Sequence, residues 1–221
     1  MTDRISPGQF EAAEGVEDWR VIGDGACAFF RTGSFAASAR LVQGIGEAID
    51  ADARPDVDIR DGGVTVRLVT IAKDYMGMTQ RDVDLARRIS AVAHEQGATA
   101  DPSAVQSVLV IVGSHANPEV MPFWQAVLGY EPRADSPEED LVDPGDRGPA
   151  LWFEAMEEPR SDGGGAIHVA VWVPQDQAEA RVALALAAGG HMVRDEFAPM
   201  WWTLADAAGN EADVSSVKGR E

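Results

Sequence analysis

The alternation of apolar and polar residues in the first hundred positions predicts helices packed on an antiparallel sheet. Strict alternation in "VTVRLV" places Val64, Val66 and Leu68 on one face of a strand. The segment "DWRVIGDGACAFFRT" is typical of a hairpin around a Gly-Asp-Gly turn. In "SFAASARLVQGIGEAIDA", apolar residues recur at three- and four-residue steps, which predicts a helix whose buried face includes Phe35 and Ile45.

Start and stop signals predict two further helices. Ser6 followed by Pro7 predicts a short N-terminal helix, because serine caps a helix and proline fits its first position. Thr79 with Asp82 three residues later is a capping-box variant ahead of a long helix, and Gly97 predicts its end. The predicted order is therefore α-β-β-α-β-α, an α+β fold with helices on an antiparallel sheet.

The rest of the chain contains a weak internal repeat. One copy begins with "VLVIVGS" and the helix "PEVMPFWQAVLGY", and the other with "AIHVAVWVP" and the helix "DQAEARVALALAAGGH". Each closing hairpin turns on Asp and Gly, which predicts β-α-β-β-β twice, with the two copies paired to bury a core. The predicted domains are residues 1–98 and 106–221, joined by a linker at 99–105 that Pro102 interrupts.

Charge and composition exclude several classes of partner. The chain has 221 residues, of which 37 are acidic and 18 basic, for a formal net charge of -19. Such a field repels phosphate backbones, so we expect no nucleic-acid partner. No apolar run approaches the roughly 18 residues of a membrane helix, and the first residues do not resemble a signal peptide. With a single cysteine, Cys27, in an apolar run, the expected setting is the reducing cytoplasm.

The N-terminal segments "DWRVIGDGACAFFRTGSFAASARLV", "PDVDIRDGGVTVRLVT" and "MTQRDVDLARRI" resemble pterin-4a-carbinolamine dehydratases over nearly the whole of residues 17–98. Members of that family carry a His-His-Pro motif before the strand and a third histidine at its end. Here Ala53 and Arg54 stand in place of the first two, and Ile71 stands in place of the third. The resemblance therefore implies a pterin-type pocket that lacks its acid-base groups.

The missing histidines matter because dehydrating a carbinolamine requires proton delivery and proton removal near neutral pH, which histidine provides. Arginine stays protonated and cannot cycle. Arg54, Asp56 and Asp82 remain as side chains that could hydrogen-bond a planar, pterin-like ligand. The alternative interpretation makes Arg54 a surface residue and Asp82 a helix-capping residue.

Residues 106–218 resemble the glyoxalase-like branch of the vicinal oxygen chelate superfamily, through "PFWQAVLGY", "DPGDRGPALWFEAM", "IHVAVWVP" and "LADAAGNEADV". That resemblance implies two β-α-β-β-β modules around a cupped site, where metal-dependent members take ligands from the first and last strand of each module. The matching positions offer His168, Glu154 and Asp213 as metal ligands, with Glu211 beside Asp213. The position on the first strand offers only Gln106 or Ser107.

Two interpretations of the cup remain open. One histidine and two carboxylates could hold a divalent metal with open positions for substrate oxygens. In the other, the cup is metal-free, and His168 and Glu211 act as general acid and base or are simply hydrogen-bonded strand residues. Trp152 and Trp202 lie on the closing strands, so we expect one or both to line the cup and to favour an aromatic ligand.

The expected function is a small-molecule enzyme of the lyase, isomerase or hydratase type, or a binding protein, working through the C-terminal cup. One alternative is a 4a-hydroxytetrahydropterin dehydratase that uses Arg54, Asp56 and Asp82 to orient water. A second alternative is a metabolite sensor without catalysis. The resemblance of the N-terminal region also implies a homodimer.

Overall fold

The structure is a computed structural model that describes residues 4–114, 117–155, 167–205 and 211–219. Within these ranges, the structure describes the backbone but not the side chains of five residues: Glu119, Phe123, Ala126, Val127 and His168. No helix among the described residues is long and apolar enough to cross a membrane.

The chain divides into two compact units. The first comprises Met1–Ile71, Met76–Val105 and Val217–Glu221, and the second comprises Ala72–Tyr75 and Gln106–Ser216. The domain limits drawn from the sequence remain a prediction.

The region before residue 106 has two sheets and three α-helices among its described residues. Its elements are, in chain order, β1 (Arg4–Ile5), α1 (Pro7–Glu11), β2 (Arg20–Ile22), β3 (Gly25–Arg31), α2 (Phe35–Ala48), β4 (Asp56–Arg60), β5 (Gly63–Leu68), β6 (Thr70–Ala72), β7 (Tyr75–Thr79), α3 (Gln80–Glu95), β8 (Thr99–Ala100) and a 3-10 turn at Pro102–Ala104. The larger sheet has the order β2-β3-β5-β4, with β8 paired to β3, and the smaller has the order β1-β7-β6.

The antiparallel sheet and its hairpin are confirmed. Strands β2 and β3 pair across a two-residue connection, and Val64, Val66 and Leu68 of β5 are all buried. The predicted element order was incomplete, because β1, β4, β6, β7 and β8 were not expected. The missed strand β4 lies at the edge of its sheet, where "DVDIR" alternates between exposed and half-buried residues and lacks a strong apolar signal.

Helix α2 is confirmed and Ile45 is buried as predicted, but Phe35 is not. The structure buries Ser38, Leu41 and Ile45, whereas Phe35 is 66% exposed. The segment offers two apolar lines, one through Leu41 and one through Val42, and the first packs against the core. Because Phe35 lies at the margin of the chosen line and in the first turn, its side chain projects into solvent.

Local signals at the ends of α1 and α3 are also confirmed. Ser6 caps α1 and Pro7 is its first residue, while Gly97 follows α3 with a positive φ of 75°. The segment at 99–105, expected to be a linker, contains β8 and the 3-10 turn, and β8 pairs with Phe30 and Arg31 of β3. Hydrogen bonds therefore tie this segment to the first unit.

The region from residue 106 forms one eight-stranded sheet with two helices. Its elements are β9 (Ser107–Ser114), α4 (Asn117–Leu128), β10 (Glu131–Pro132), β11 (Asp140–Val142), β12 (Ala150–Ala155), β13 (Ile167–Trp172), α5 (Ala178–Ala187), β14 (His191–Arg194), β15 (Trp201–Ala205) and β16 (Glu211–Ser215). The strand order is β10-β11-β12-β9-β13-β16-β15-β14, so the two predicted β-α-β-β-β modules are confirmed. They join where β9 and β13 pair antiparallel.

The helices define one face of this sheet. Val112, Leu151 and Phe153 form a buried cluster with Met121 of α4. In the second module, a matching cluster joins α5 to β15 and β16; its buried members are Val173, Ala178, Val182, Leu204 and Val214. Because strand side chains alternate between faces, the neighbouring residues of these strands lie on the opposite side. We call that side the helix-free face.

Candidate functional site

The turn before β4, in the first unit, is fixed by ion pairs to α3. Arg81 of α3 pairs with Asp52 at 2.5 Å, and Arg88 pairs with Asp50 at 2.9 Å. The Arg81 hydrogen bond lowers the pKa of the Asp52 carboxyl, and Arg88 lowers that of Asp50 in the same way. The turn that the family resemblance assigns to a pterin pocket is thus held in place by its own acidic residues.

Two of the predicted pterin-binding residues lie on the surface beside this turn. Arg54 is exposed, and its guanidinium has no hydrogen bond or ion pair with any described residue. Asp56 is exposed on β4 and pairs across the sheet with Arg67 of β5, at 3.5 Å between carboxylate and guanidinium. Among the described contacts, none joins Arg54 to Asp56.

The third residue, Asp82, is almost fully buried at the start of α3, with 4% of its surface exposed. Its Oδ2 accepts hydrogen bonds from the Thr79 backbone N–H at 2.7 Å and from the Thr79 hydroxyl at 2.9 Å. The hydroxyl of Thr70 donates to the same oxygen at 2.8 Å. These contacts are those of a helix cap, and they favour the structural interpretation of Asp82 over a ligand-binding one.

The helix-free face of the second unit carries a buried carboxylate. Asp213 of β16 is 7% exposed, and its Oδ1 accepts a hydrogen bond from the Thr203 hydroxyl at 2.7 Å. Thr203 itself is fully buried on the neighbouring strand, directly opposite Asp213 in the register. A buried carboxylate oriented by a hydroxyl donor is suited to accepting hydrogen bonds or protons from a bound molecule.

Glu211 lies two residues before Asp213 on the same face of β16. Its side chain is half-buried, and its carboxylate lies 3.9 Å from the guanidinium of Arg194 at the end of β14. Strand geometry places the Cα atoms of the two acidic residues about 7 Å apart. Two carboxylates at such a separation can face opposite edges of one small molecule.

His168 falls partly outside what the structure describes. Its backbone lies in β13 and pairs with Ile111 of β9, but its side chain is outside the described residues. Continuing the β13–β16 register by one residue sets the His168 backbone beside that of Glu211. The predicted acid-base roles of these two residues therefore stay a prediction.

The predicted metal ligands Glu154 and Asp213 are not brought together. Glu154 is exposed on β12, opposite Gly113 of β9, whereas Asp213 pairs with Ala170, which lies opposite Leu109 of β9. Along the strand direction, Glu154 and Asp213 are therefore about 13 Å apart, and strands β9 and β13 lie between their two strands. Metal–oxygen bonds of roughly 2–2.6 Å leave these two side chains too far apart for one ion. The described residues contain no group of three potential ligands.

The two tryptophans predicted to line the site lie on opposite faces. Trp152 alternates with the core residues Leu151 and Phe153, so it belongs to the helix-free face. Trp202 packs against the cluster under α5, on the core face of β15, so its position argues against the predicted ligand contact. The physical reason is the register, because Trp202 pairs with the core residue Val214.

Sequence reasoning missed four residues of this face. Trp172 and Trp201 both lie opposite Ser215, Thr203 orients Asp213, and Arg194 faces Glu211. A signal for Trp201 and Thr203 was present, because alternation along β15 assigns them to the face opposite Trp202 and Leu204. Arg194 follows an irregularity in β14, which alternation cannot anticipate.

Comparison with known proteins gives two separate matches. Residues 4–92 match the family described as "Pterin 4 alpha carbinolamine dehydratase", and residues 110–215 match "Glyoxalase-like domain". A Nocardia farcinica protein named "Putative pterin-4-alpha-carbinolamine dehydratase" is 37% identical over 94 residues, which is 97% of that protein and 42% of this chain. The chain belongs to the pterin-4a-carbinolamine dehydratase family. A Thermosynechococcus vestitus protein of the same name is 36% identical over 95 residues, 98% of its length and 42% of this chain.

This family member thus carries a glyoxalase-like region after its dehydratase-like region, a combination that supports a role in binding or converting a small molecule. Two solved structures resemble part of the chain. One is titled as an NAD-dependent benzaldehyde dehydrogenase from Legionella pneumophila, with 14% identity, TM-score 0.37, and coverage of 50% of this chain and 99% of that chain. The other is a glyoxalase/bleomycin resistance protein/dioxygenase superfamily member from Vibrio splendidus, with 15% identity, TM-score 0.33, and coverage of 51% and 99%. TM-scores this low support no statement about function.

Proposed function

We propose that the protein binds a small polar molecule on the helix-free face of its second unit and converts it by lyase, isomerase or hydratase chemistry. The observation that carries this proposal is the buried Asp213 carboxylate, oriented by the Thr203 hydroxyl. A buried carboxylate that a hydroxyl donor holds in place can accept hydrogen bonds or a proton from a bound molecule. In the first unit, the buried acid Asp82 has the contacts of a helix cap.

The two acids of β16 suit proton transfer across a small substrate. In the ionised form, Asp213 would accept a proton from a C–H or O–H next to a carbonyl group. The hydrogen bond that the Thr203 hydroxyl donates to Oδ1 would hold the carboxylate in position. Glu211, beside Arg194, would stabilise or return a proton at the opposite edge. His168 remains a candidate for that second role. A proton taken at one site and returned at another gives an isomerisation, and loss or gain of water gives a lyase or hydratase.

The test is a thermal-shift screen of hydroxy-acid, keto-acid and aromatic metabolites on the full-length protein and two variants. Asp213→Asn keeps the hydrogen bond to Thr203 but removes the charge, whereas Glu154→Gln removes a charge from the exposed β12 position. We expect stabilising compounds that lose their effect in Asp213→Asn and keep it in Glu154→Gln. Stabilisation that is unaffected by Asp213→Asn would contradict the proposal.

The same screen separates an enzyme from a sensor. Each stabilising compound is incubated with the protein for many hours and then analysed by mass spectrometry and NMR. A change of structure or isotope exchange at a C–H position supports catalysis. A compound recovered unchanged, without exchange, supports the metabolite-sensor alternative at the same site.

A second candidate function is dehydration of a 4a-hydroxytetrahydropterin by the first unit. It is favoured by the family match over residues 4–92. The surface position of Arg54 and the capping contacts of Asp82 argue against it, because arginine stays protonated and Asp82 is engaged by Thr79 and Thr70. A stopped-flow assay of carbinolamine dehydration decides: acceleration above the spontaneous rate that is lost in Arg54→Ala would establish this function.

A further inference from the structure

On the helix side of the second unit's sheet, the two innermost strands are only partly covered. There β9 and β13 contribute three consecutive cross-strand pairs of branched aliphatic residues: Val112–Ile167, Val110–Val169 and Val108–Val171. We call these six residues the aliphatic groove. Within it, Ile167, Val169 and Val108 are 45%, 39% and 36% exposed. Single exposed aliphatic residues are common, but a contiguous row of them is typical of a surface that binds a partner.

The aliphatic groove has the width and the length of one helix. Helix α4 packs mainly on β12, and α5 packs mainly on β15 and β16, three to four strands away. At about 4.8 Å per strand, the two helix axes are roughly 14–19 Å apart, whereas helices in contact lie about 8–10 Å apart. The groove extends over five positions of each strand, or about 13 Å. A short helix with small side chains therefore fits between α4 and α5.

Helix α5 has those properties and carries a second apolar stripe on its outer side. Its inner stripe, which includes Val182, packs on the sheet. The outer stripe consists of exposed residues three and four positions apart: Ala180, Ala183, Leu184 and Ala187. Leu184 is 67% exposed. The ten residues of α5 make it about 15 Å long, close to the length of the groove. A surface helix normally has a polar outer face, so this stripe also indicates a missing partner.

Charge favours a second copy of the chain as that partner. The chain has a formal net charge of -19, so a partner selected by charge would be basic. Neither the aliphatic groove nor the outer stripe contains a carboxylate to hold such a partner. The two surfaces instead match each other in length and in apolar character. At one end of the groove, the Arg181 guanidinium donates to Oε1 of Gln106 at 3.3 Å, which gives the apolar surface a polar rim.

We propose that the outer stripe of α5 in one copy of the chain occupies the aliphatic groove of a second copy, while the reverse contact forms at the same time. A two-fold axis makes the two contacts identical, as in other isologous dimers. The alanines allow helix axes to approach to about 8 Å, and Leu184 fills the groove between the valines. This interface lies on the side of the sheet opposite the proposed ligand site, and it does not depend on that site.

The size of the surface sets the expected affinity. Stripe and groove together occupy roughly 15 Å by 20 Å of each copy. With the relief of the side chains, a pair of copies buries on the order of 1,000 Å² in total, which is at the lower limit for a specific interface. We therefore expect a dimer with a Kd in the micromolar range.

The test measures the mass of the full-length protein by sedimentation velocity from about 1 to 100 μM, a range that spans the expected Kd. Leu184→Glu places a charge on the stripe, and Val169→Lys places one in the groove. Each variant alone should have half the mass of the wild-type assembly, because an unpaired charge in an apolar contact is costly. The control is Phe35→Glu in the first unit, since Phe35 is 66% exposed and matches Leu184. It should shift the Kd by less than about twofold.

A mixture of the two variants tests the reciprocal contact. In a mixed pair, the new carboxylate of one copy faces the new ammonium group of the other, and the second contact of the pair is native. The mixture should therefore regain the wild-type mass, which neither variant reaches alone. Circular dichroism checks the folding of each variant, and Ile167→Lys, at the most exposed groove position, replaces Val169→Lys if that variant does not fold.

Three results would overturn the interface. The first is a wild-type mass equal to that of one chain at the highest concentration. The second is an unchanged mass in Leu184→Glu, or an equal loss of mass in Phe35→Glu, which would assign association to another surface or to net charge. The third is a mixture that stays at the mass of the separate variants.

Discussion

Each unit of this chain contains a buried aspartate, and the two aspartates have different hydrogen-bonding environments. Asp82 at the start of α3 accepts three hydrogen bonds on one oxygen, and all three donors belong to threonines of the same unit. Asp213 on β16 accepts from Thr203 and lies on a sheet face that no described helix of its unit covers. Burial alone therefore does not identify a working carboxylate. The donors must be considered as well. Those of Asp82 close the end of a helix, whereas the donor of Asp213 orients an acceptor on a sheet face, and this difference separates a structural acid from a candidate functional one.

The residues around the two aspartates also differ. Near Asp82, the acidic turn before β4 is paired with Arg81 and Arg88, so the charges of that region are matched by partners within the unit. Asp213 lies between Ala170 and Thr203 on the neighbouring strands, and Trp172 and Trp201 lie one row further along, beside Ser215. Under the proposed function, Asp82 is a structural acid and Asp213 is the candidate functional one.

The largest effect is expected from Asp213→Asn. The substitution keeps the volume of the side chain and its hydrogen bond from Thr203 but removes the charge that pairs with ligand N–H groups. We expect the affinity for the compound that stabilises the protein most in the screen, measured by calorimetry, to fall about 10- to 100-fold, since hydrogen bonds to charged groups contribute roughly 1.5–3 kcal/mol. An affinity within twofold of the wild type would break the contrast between the two aspartates.

Asp82→Ala should act on stability and leave ligand affinity unchanged. Removing the shared acceptor of Thr70 and Thr79 uncaps α3, at a cost of about 1–2 kcal/mol. Hydrogen-exchange mass spectrometry of α3 peptides measures this as faster exchange. The control is Asp84→Ala, because Asp84 is exposed on the same helix and pairs only at the surface with Arg87, for an expected change below about 0.5 kcal/mol. Equal exchange in the two variants would refute the cap.

A smaller effect should accompany acidification. The pKa values of Asp50 and Asp52 are lowered by Arg88 and Arg81, so their ion pairs contribute stability at pH values above the ordinary aspartate range. That contribution is lost as the pH falls below about 4 towards the lowered pKa values. NMR titration of the side-chain carboxyl of Asp52 should show a lowered pKa that rises to its ordinary value in Arg81→Gln.

Arg40→Gln is the control for this titration, because Arg40 is exposed on α2 and has no ion pair with any described residue. It should leave the pKa of Asp52 unchanged. A pKa of Asp52 that responds equally to both substitutions would show that net charge, rather than the Arg81 contact, lowers it.

The smallest effect is expected from Arg54→Ala. An exposed guanidinium with no partner among the described residues contributes less than about 0.5 kcal/mol to stability. Chemical denaturation, and calorimetry with the compound that stabilises the protein most in the screen, should both give wild-type values. A loss of affinity in this variant would place the binding site in the first unit and reverse the comparison.

Periodicity and caps made much of the fold predictable. Three features could be predicted from local sequence patterns alone: the alternation in β5, the capping residues Ser6 and Thr79, and the repeat after residue 106. The buried face of α2 was predicted only in part: Ile45 is buried, but the apolar residues Leu41 and Val42 lie on two different lines of the helix, and packing selects the line through Leu41. The edge strand β4 was missed because its charges resemble those of a turn.

The site was less predictable than the fold. Asp213 and Trp152 could be placed by alternation, but Trp202 required the register of β15 against Val214. The opposition of Trp172 and Trp201 across Ser215 depends on pairing between strands far apart in sequence. Local patterns do not encode such pairings, so a single sequence could not reveal which residues meet on this face.

The central claim is that the working site lies on the helix-free face of the second unit. Its most direct test is an amide and indole N–H spectrum of the isotopically labelled full-length protein, titrated with the compound that stabilises it most in the screen. The account predicts shifts at Trp172, Trp201 and residues 211–215, with Trp19 of the first unit unchanged. Shifts confined to residues 50–56 and to α3 would contradict it and return the function to the family's original pocket.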